Sequence, residues 1–407
     1  MRNATPPAAE LLLSAKALPM LALFAALALL PRDAAAQRLV PRGTAATPPA
    51  TAPGIDPTGA GAGEVSTPNT PKRVTPMFAP IPMKNTQLGW GLMLLAGVIH
   101  RFDADTTIKP STGMVGAFYT ENDSWGVMAL EMARLAHDRL RLRAMAGHME
   151  INYRFYGIGE ENGEAGQSVR IDQTINMALG SALVRTVGQL YLGFSAAYMQ
   201  NTVNLPDTLL AIAPPSLLDR AKTTLFAPGV QAEIDTRNDD YWPLSGNWVT
   251  FKSFFFGSAL GGERKFQRYL PYWSHYQRLS GDQVLLATNV NACAASGNTP
   301  FYALCSVGAG MGGLRGYTQG RYRDTVMTTA QSELRLHTYD GRLGAVAFAG
   351  FGMVAPNIGD IFNAKVLPAG GLGLRYQLTK DYPMHLRLDY AWGRDEGLLY
   401  FGVAEAF

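Results

Sequence analysis

Histidines, cysteines and closely spaced carboxylates are the residue types in this sequence that could support catalysis or bind a metal. The cysteines are Cys293 and Cys305, and the histidines are His100, His137, His148, His275, His337 and His385. None of the histidines falls in a metal-ligand spacing or beside a recognised nucleophile motif. We therefore predict a protein that is not an enzyme and that uses neither a metal ion nor a cofactor.

One polar run, formed by Gln231, Glu233 and Asp235, could be taken for a carboxylate site. These side chains alternate with the apolar residues Val230, Ala232 and Ile234, and a period of two is the period of a β-strand. We interpret the run as a polar stripe on one face of a strand.

The composition excludes several classes of protein. The chain has 407 residues, a formal net charge of +3 and 16% charged residues, against about 25% in an average soluble protein. So small a net charge is not the footprint of a nucleic-acid-binding protein. An apolar content of 47% excludes a wholly disordered chain. A helical membrane protein is also disfavoured, because no apolar run reaches the length of about 18 residues that spans a bilayer.

The first 72 residues differ from the rest in composition. Residues 1–36 combine the basic residues Arg2 and Lys16 with the apolar run ALPMLALFAALALL and three alanines at 34–36. This pattern is typical of a secretory signal peptide, and we expect cleavage after Ala36; the alternative is a buried helix. Residues 37–72 are rich in Pro, Thr, Ala and Gly. They predict a disordered tail, because they offer too little apolar surface to offset the entropy of ordering.

Residues 73–407 consist of runs with a period of two. In one of them Leu386, Leu388 and Tyr390 alternate with Arg387 and Asp389. Runs of about ten residues or more match tilted strands that cross a bilayer. We predict an all-β fold, a 16-stranded antiparallel transmembrane outer-membrane β-barrel. The expected strands are 73–83, 87–100, 110–121, 123–135, 138–152, 168–182, 187–201, 222–236, 246–259, 265–279, 281–294, 324–338, 342–354, 367–379, 383–394 and 397–407.

The connections between these runs alternate in length. Long connections at 153–167, 202–221, 295–323 and 355–366 fall on one side of the predicted barrel, where long loops mark the extracellular end. Short turns such as Ser280-Gly281 and Asp340-Gly341 fall on the other side.

The first and last predicted strands are unusual. Pro76, Pro80 and Pro82 interrupt the first, and proline is tolerated there only if the strand is short or weakly paired. The last strand ends on Phe407, and counting back in twos places Glu405 and Phe401 on its outer face. We expect this strand to close the barrel. A terminal aromatic on such a strand resembles the signal by which outer-membrane barrels are recognised for assembly.

Two motifs stand in a specific order before the closing strands. Asp235 and Arg237 precede Pro243 and Gly246 in a D-x-R…P-x-x-G pattern, and the second motif, [VL]-R-G-[FY], is Leu314, Arg315, Gly316 and Tyr317. The second follows the glycines Gly308, Gly310, Gly312 and Gly313. With 371–375 and 386–393, these residues resemble the barrel domain of the BamA/TamA outer-membrane assembly family, also called the bacterial surface antigen family. The resemblance extends over residues 73–407.

The resemblance implies that Arg315 lies at the tip of a long loop that folds back into the barrel. An arginine there needs acceptors, because an unpaired buried charge costs several kcal/mol. Strand alternation directs Glu333, Arg335, Arg387 and Asp389 inward, and we expect Arg315 to pair with Glu333 or Asp389. The family often has an acidic residue on the strand after the next turn, whereas residues 349–352 provide none. The alternative is that Arg315 lies in a solvated external loop.

Cys293 and Cys305 fall at the base of the same loop. Because an exported chain meets an oxidising compartment, we expect them to form a disulfide. The alternative is a pair of free thiols.

The resemblance implies insertion or translocation of other proteins at the outer membrane of a Gram-negative bacterium. The family performs this work with periplasmic POTRA modules, and residues 37–72 are too few to form one. We therefore expect a barrel without POTRA domains, which assists insertion through a weak seam between its first and last strands. Its expected partners are outer-membrane lipid, unfolded outer-membrane protein clients and periplasmic chaperones, and no nucleic acid. The alternative is a pore for transport or a surface-displayed structural barrel.

Overall fold

The computed structural model describes residues 74–407, except 104, 106–107, 205–221, 241, 259–260, 309–312, 338–341 and 378–384. The expected signal peptide and tail at 1–36 and 37–72 lie outside the described residues. So do Gly310, Gly312 and the Asp340-Gly341 turn.

Sixteen antiparallel strands close into one barrel, and they follow one another around its wall in chain order. This confirms the predicted fold. Two further strands, β12 and β13, pair with each other in the connection between β11 and β14. The strands are β1 (Val74–Asn85), β2 (Gly89–His100), β3 (Ser111–Thr120), β4 (Trp125–Leu135), β5 (Leu140–Phe155), β6 (Val169–Val187), β7 (Leu190–Asn204), β8 (Lys222–Asp235), β9 (Gly246–Phe256), β10 (Phe266–Ser280), β11 (Val284–Gly297), β12 (Cys305–Ser306), β13 (Arg323–Asp324), β14 (Val326–His337), β15 (Leu343–Ala355), β16 (Leu367–Gln377), β17 (His385–Trp392) and β18 (Gly397–Val403).

The alternation within each strand separates a lipid-facing surface from the lumen, the interior of the barrel. On β14, Leu334 and Leu336 are exposed on the outer surface, whereas Glu333 and Arg335 are completely buried. Closure of the sheet pairs backbone groups that lipid could not satisfy. Among the described residues, no helix is long and apolar enough to cross a membrane.

The described parts of the long connections lie at one end of the barrel, the end expected to be extracellular. They contain a short helix, α1 (Glu160–Ala165), and two 3₁₀ turns, Phe301–Ala303 and Ile358–Asn363. The connection between β11 and β14 includes β12 and β13, and its described residues enter the lumen. We call residues 298–325 the lumen loop.

The end of the chain corrects the expected last strand. β18 ends at Val403 instead of continuing to Phe407, and Ala404 has a φ of 70°. Glu405 turns inward, where its Oε2 accepts a hydrogen bond from Arg375 Nε at 2.7 Å. Phe407 also turns inward and packs against a cluster that includes Tyr276 and Leu285. The expectation that Glu405 and Phe407 face outward was therefore wrong, because the bend gives a carboxylate an arginine partner instead of placing it in hydrocarbon.

Candidate functional site: a loop anchored in the lumen

The lumen loop is anchored by the residues of its R-G-Y motif. Leu314, Arg315 and Tyr317 are all at most 2% exposed. Leu314 and Tyr317 belong to a hydrophobic cluster with Val307 of the same loop and Leu367 of β16. The loop is therefore packed inside the barrel, in place of the solvated external position that was the alternative for Arg315.

Arg315 contacts two carboxylates on different strands. Its Nη1 lies 2.6 Å from Asp389 Oδ2 on β17, and its Nη2 lies 2.6 Å from Glu333 Oε2 on β14. The guanidinium carbon also lies 3.5 Å from the ring centroid of Phe348 on β15, a cation–π contact. Strand β15 thus provides an aromatic ring where the resemblance would suggest an acid.

Other arginines share the same carboxylates. Arg335 Nη2 lies 2.8 Å from Glu333 Oε1, and Arg375 Nη1 lies 2.6 Å from Asp389 Oδ1. Arg387, the remaining expected lumen partner, lies at the longer distance of 3.7 Å from Asp389 Oδ2. The expected lumen residues therefore form one network of buried ion pairs around Arg315.

Sequence reasoning missed Arg375, Glu405 and Phe348 as members of this network. Arg375 could have been found, because it alternates with Leu372 and Leu374 in a predicted strand. Glu405 could not, because its position depends on the bend at Ala404.

Gly316 and Tyr317 fix the backbone of the loop. Gly316 has a φ of 103°, and a Cβ placed on it would lie 2.9 Å from the carbonyl carbon and oxygen of Trp392. Its N–H donates a hydrogen bond to the Tyr400 hydroxyl at 3.0 Å. The Tyr317 hydroxyl donates to the carbonyl of Pro368 at 2.6 Å. The motif therefore ties the loop to β16, β17 and β18 at once.

The upper part of the loop is tied to neighbouring connections. Glu396, in the β17–β18 turn, accepts a hydrogen bond from Thr318 N at 3.2 Å and lies 3.0 Å from Arg321 Nη1. Arg321 Nε also donates to the carbonyl of Gly163 in α1 at 2.9 Å. At the base of the loop, Cys293 and Cys305 form a disulfide that joins β11 to β12 across a Cα–Cα distance of 5.6 Å.

A second charged cluster surrounds the D-x-R…P-x-x-G turn at the opposite end of the barrel. Asp235 Oδ1 lies 2.9 Å from Arg237 Nε, and Asp240 Oδ2 lies 2.7 Å from Arg134 Nη2. Burial alone would raise the pKa of Asp240, but the charges of Arg134, Lys109 and Arg237 outweigh it and lower the pKa. This turn is therefore bonded to strand β4 and to the β2–β3 connection.

The remaining residues of that motif shape its backbone. Gly246 has a φ of 105°, and a Cβ on it would lie 2.2 Å from the Thr236 carbonyl oxygen. Pro243 is buried. Its neighbour Trp242 places its ring centroid 4.4 Å from those of both His337 and His385, inside the mouth of the barrel.

Glu233, in the polar run of β8, also has partners across the lumen. Its Oε1 lies 2.7 Å from Arg141 Nη1, and its Oε2 lies 2.6 Å from Arg143 Nη1. These pairs fit the interpretation of a polar stripe.

Comparison with known proteins matches residues 134–407 to the Omp85 superfamily domain. Among solved structures, the chain is similar to BamA from Haemophilus ducreyi lacking POTRA domains 1–3, with 15% identity and a TM-score of 0.54 over 82% of this chain and 70% of that chain. It is also similar to CdiB from Escherichia coli, with 11% identity and a TM-score of 0.56 over 83% of this chain and 63% of that chain.

CdiB from Acinetobacter baumannii gives 13% identity and a TM-score of 0.51, over 82% of this chain and 60% of that one. The chain thus spans less than two thirds of either CdiB structure. At these identities the likeness extends to the fold alone. The search of curated proteins gave no match to the sequence.

Proposed function

Because this chain belongs to the Omp85 superfamily, we propose that its barrel assists the insertion of other proteins into the outer membrane through the seam between β1 and β18. Barrels of this family reside in the outer membrane of Gram-negative bacteria. The proposed work is non-enzymatic, because it consists of exchanging hydrogen bonds between strands. Its proposed partners are membrane lipid, unfolded barrel proteins and the periplasmic chaperones that deliver them.

The observation that supports this proposal is the weakness of the seam. β1 pairs with β2 through twelve residue pairs, from Val74↔His100 to Asn85↔Gly89. In the described structure it pairs with β18 at Lys84↔Phe401 alone. Separating β1 from β18 therefore breaks far fewer backbone hydrogen bonds than separating any other pair of neighbouring strands in the barrel.

The three prolines of β1 give a physical reason for the weakness. Residues two apart in a strand direct their N–H groups to the same neighbour, so the nitrogens of Pro76, Pro80 and Pro82 face one side. Because pairing with β2 is continuous, we infer that this side is the seam. Extending the register from Lys84↔Phe401 places Pro82 opposite Val403, where β18 ends. The seam therefore lacks donors where further pairing would otherwise form.

The lumen loop favours this proposal over an open pore. Arg315 and its partners place a packed loop within the interior, which a steady solute channel would need to keep free. We therefore expect closed or flickering conductance from the purified barrel in a planar bilayer. A steady open conductance would favour the transport alternative.

The direct test measures insertion in proteoliposomes that contain the purified chain. An eight-stranded outer-membrane barrel, unfolded in urea, serves as the client, and its folding is followed by heat-modifiable mobility. Replacing Pro82 with Thr restores a donor opposite the end of β18, so we expect a tighter seam and slower insertion. Pro228→Thr, in strand β8 and away from the seam, is the matched control. Client folding no faster than in empty liposomes would contradict the proposed function.

Delivery to the membrane is part of the same proposal. We propose that residues 1–36 direct export and are removed after Ala36, and that 37–72 form a tail ahead of the barrel at 73–407. Sequencing the N-terminus of the protein recovered from membranes tests this directly. A mature chain that still begins at Met1 would contradict it.

A further inference from the structure

Part of the lumen wall, on β2 to β6, is apolar, and cross-barrel ion pairs identify which side chains face inward there. Arg134 on β4 reaches Asp240, and Arg143 on β5 reaches Glu233 on β8. Because β8 is not a neighbour of β4 or β5, these contacts pass through the interior. Residues an even number of positions away from Arg134 and Arg143 on the same strands therefore face the lumen too.

Methionines dominate this inward surface. Strand register extends it from β4 and β5 to β2, β3 and β6, through pairs such as Met114↔Gly97, Met128↔Gly116 and Met177↔Gly147. We call seven of these inward side chains the methionine wall, and each is partly exposed. They are Met93, Met114, Met128, Met132, Met145, Met149 and Met177.

Glycines on neighbouring strands make the wall shallow. A Cβ on Gly97 would lie 2.9 Å from Met114 Cγ, and one on Gly126 would lie 2.7 Å from Met149 Cγ. The methionine side chains therefore lie across the glycine backbone instead of standing between bulky neighbours. The result is a smooth, apolar sheet face with flexible side chains.

An apolar surface such as the methionine wall is unusual inside an outer-membrane barrel. The interior of an outer-membrane barrel is commonly polar, and a contiguous apolar surface exposed to water marks an interaction site. The R-G-Y motif of the lumen loop packs on the opposite side of the barrel, against β14 to β17. Phe301 and Leu304 of the loop contact β5, β6 and β7 nearer the end with the long connections, beyond the methionine wall. The arginines below the wall, Arg134 and Arg143, already have carboxylate partners.

The wall leads directly to the seam. On β1, Ile81 pairs with Met93 and Met77 pairs with Gly97, so Met77, Ala79, Ile81 and Met83 continue the apolar face up to the edge that adjoins β18. A strand that passes through the seam would leave an apolar surface on the lumen side and meet lipid on the other.

We propose that the methionine wall binds the apolar face of an extended client strand before that strand enters the membrane; this rests on the proposed function. A transmembrane strand alternates apolar and polar side chains, so its apolar face needs cover while it is in water. Methionine is unbranched and polarizable and packs against varied shapes. Met-rich surfaces suit binders that accept many partners, as an insertion aid that handles different sequences must.

Site-specific photo-crosslinking tests the contact. A benzophenone amino acid replaces Met128 on the wall or, as the matched control, Ala129, its lipid-facing neighbour. Each full-length variant is reconstituted in phospholipid vesicles and mixed with the urea-unfolded eight-stranded barrel. We expect crosslinks to the client from position 128 and crosslinks to lipid from position 129. Crosslinks from 128 to lipid, or to the lumen loop alone, would overturn the proposal.

Substitution tests the contribution of the wall to insertion. The triple change Met128→Gln, Met145→Gln and Met149→Gln keeps side-chain length but removes apolar surface. We expect client folding to slow by roughly tenfold, whereas the same three changes to Leu leave it near the wild-type rate. Heat-modifiable mobility of each variant checks that its own barrel is intact. If the Gln variant fails to fold, the crosslinking experiment alone tests whether the wall binds the client.

The two proposals fail separately. Crosslinks from position 128 without any client insertion would refute the proposed function and leave the wall as a strand-binding surface. Normal insertion without those crosslinks, and without an effect of the Gln changes, would refute the wall and leave the function.

Discussion

Arg315 joins three strands through one side chain, so its removal should have a large effect. Arg315→Ala leaves Glu333 and Asp389 with fewer cations in a buried site, and breaking such a pair costs about 3 kcal/mol or more. We expect that loss in the free energy of unfolding, measured by urea titration in detergent micelles. Arg315→Lys retains the charge but lacks the two-sided guanidinium fork. Its free energy of unfolding should therefore lie between those of the wild type and the Ala variant. An Ala variant as stable as the wild type would contradict the anchoring role.

Position 316 requires glycine because of both its backbone conformation and the close approach of neighbouring main-chain atoms. At a φ of 103° a side chain is strained, and its Cβ would press on the main chain of Trp392. We expect Gly316→Ala to cost about 1 to 3 kcal/mol of stability and to expose the loop to added protease. Gly257→Ala is the control, because a Cβ there meets nothing within 4 Å. Equal protease resistance of the two variants would argue against a fixed loop.

Among the short elements, the β4–β5 turn combines backbone strain with a compensating charge network. Ala136, His137 and Asp138 all have positive φ values, between 52° and 58°. Such a conformation costs about 1 kcal/mol or more per residue for side chains other than glycine. Ala136→Gly should therefore raise the free energy of unfolding by about 1 kcal/mol. Arg139→Gly, at a neighbouring position outside this run, is the control and should not stabilise the protein.

Acidification should weaken the same end of the barrel. Burial alone would raise the pKa of Asp138, but its bonds to Arg141 and Tyr191 and the charge of Arg134 lower it below its ordinary value of 3.8. The pKa of Asp240 is lowered in the same sense by Arg134, Lys109 and Arg237. Because both folded values lie below the unfolded ones, their contribution is complete above about pH 5, begins to be lost as pH falls through 3.8 and continues to be lost as pH falls through the lower folded values.

Unfolding titrations between pH 6 and pH 3 measure this loss. The variant Asp138→Asn/Asp240→Asn should be less stable at pH 6 and should show a shallower fall over that range. Glu150→Gln, on the outer surface of β5, is a control that leaves the network intact. A double variant whose pH dependence matches the wild type would exclude these two aspartates as the cause.

The period of two was enough to predict the strands, because lipid on one side and the lumen on the other impose it along nearly the whole barrel. The same period also predicted that Glu333 and Asp389 face inward. It failed for Glu405 and Phe407, since the bend at Ala404 turns them toward Arg375 and Arg335, which lie on strands distant in sequence. Sequence alternation contains no information about such long-range charges.

At the scale of the whole molecule, described residues enter the lumen from both ends of the barrel. The lumen loop enters from the end with the long connections, and Arg315 fixes it at Glu333 and Asp389. At the opposite mouth, Trp242 packs against His337 and His385, and the main-chain oxygen of Phe407 accepts a hydrogen bond from Arg335 at 3.0 Å. The two groups of side chains lie in series along the barrel, so we expect either one alone to restrict the passage of ions.

This series arrangement predicts a non-additive result in planar bilayers. Deleting residues 308–317 removes the loop anchor but leaves Trp242 in place, so we expect only brief openings. Trp242→Ala alone should also stay mostly closed, because the loop remains. The two changes together should produce a steady conductance far above the sum of the single variants. A large, steady conductance from the deletion alone would place the whole obstruction in the loop and leave Trp242 a structural side chain of the turn.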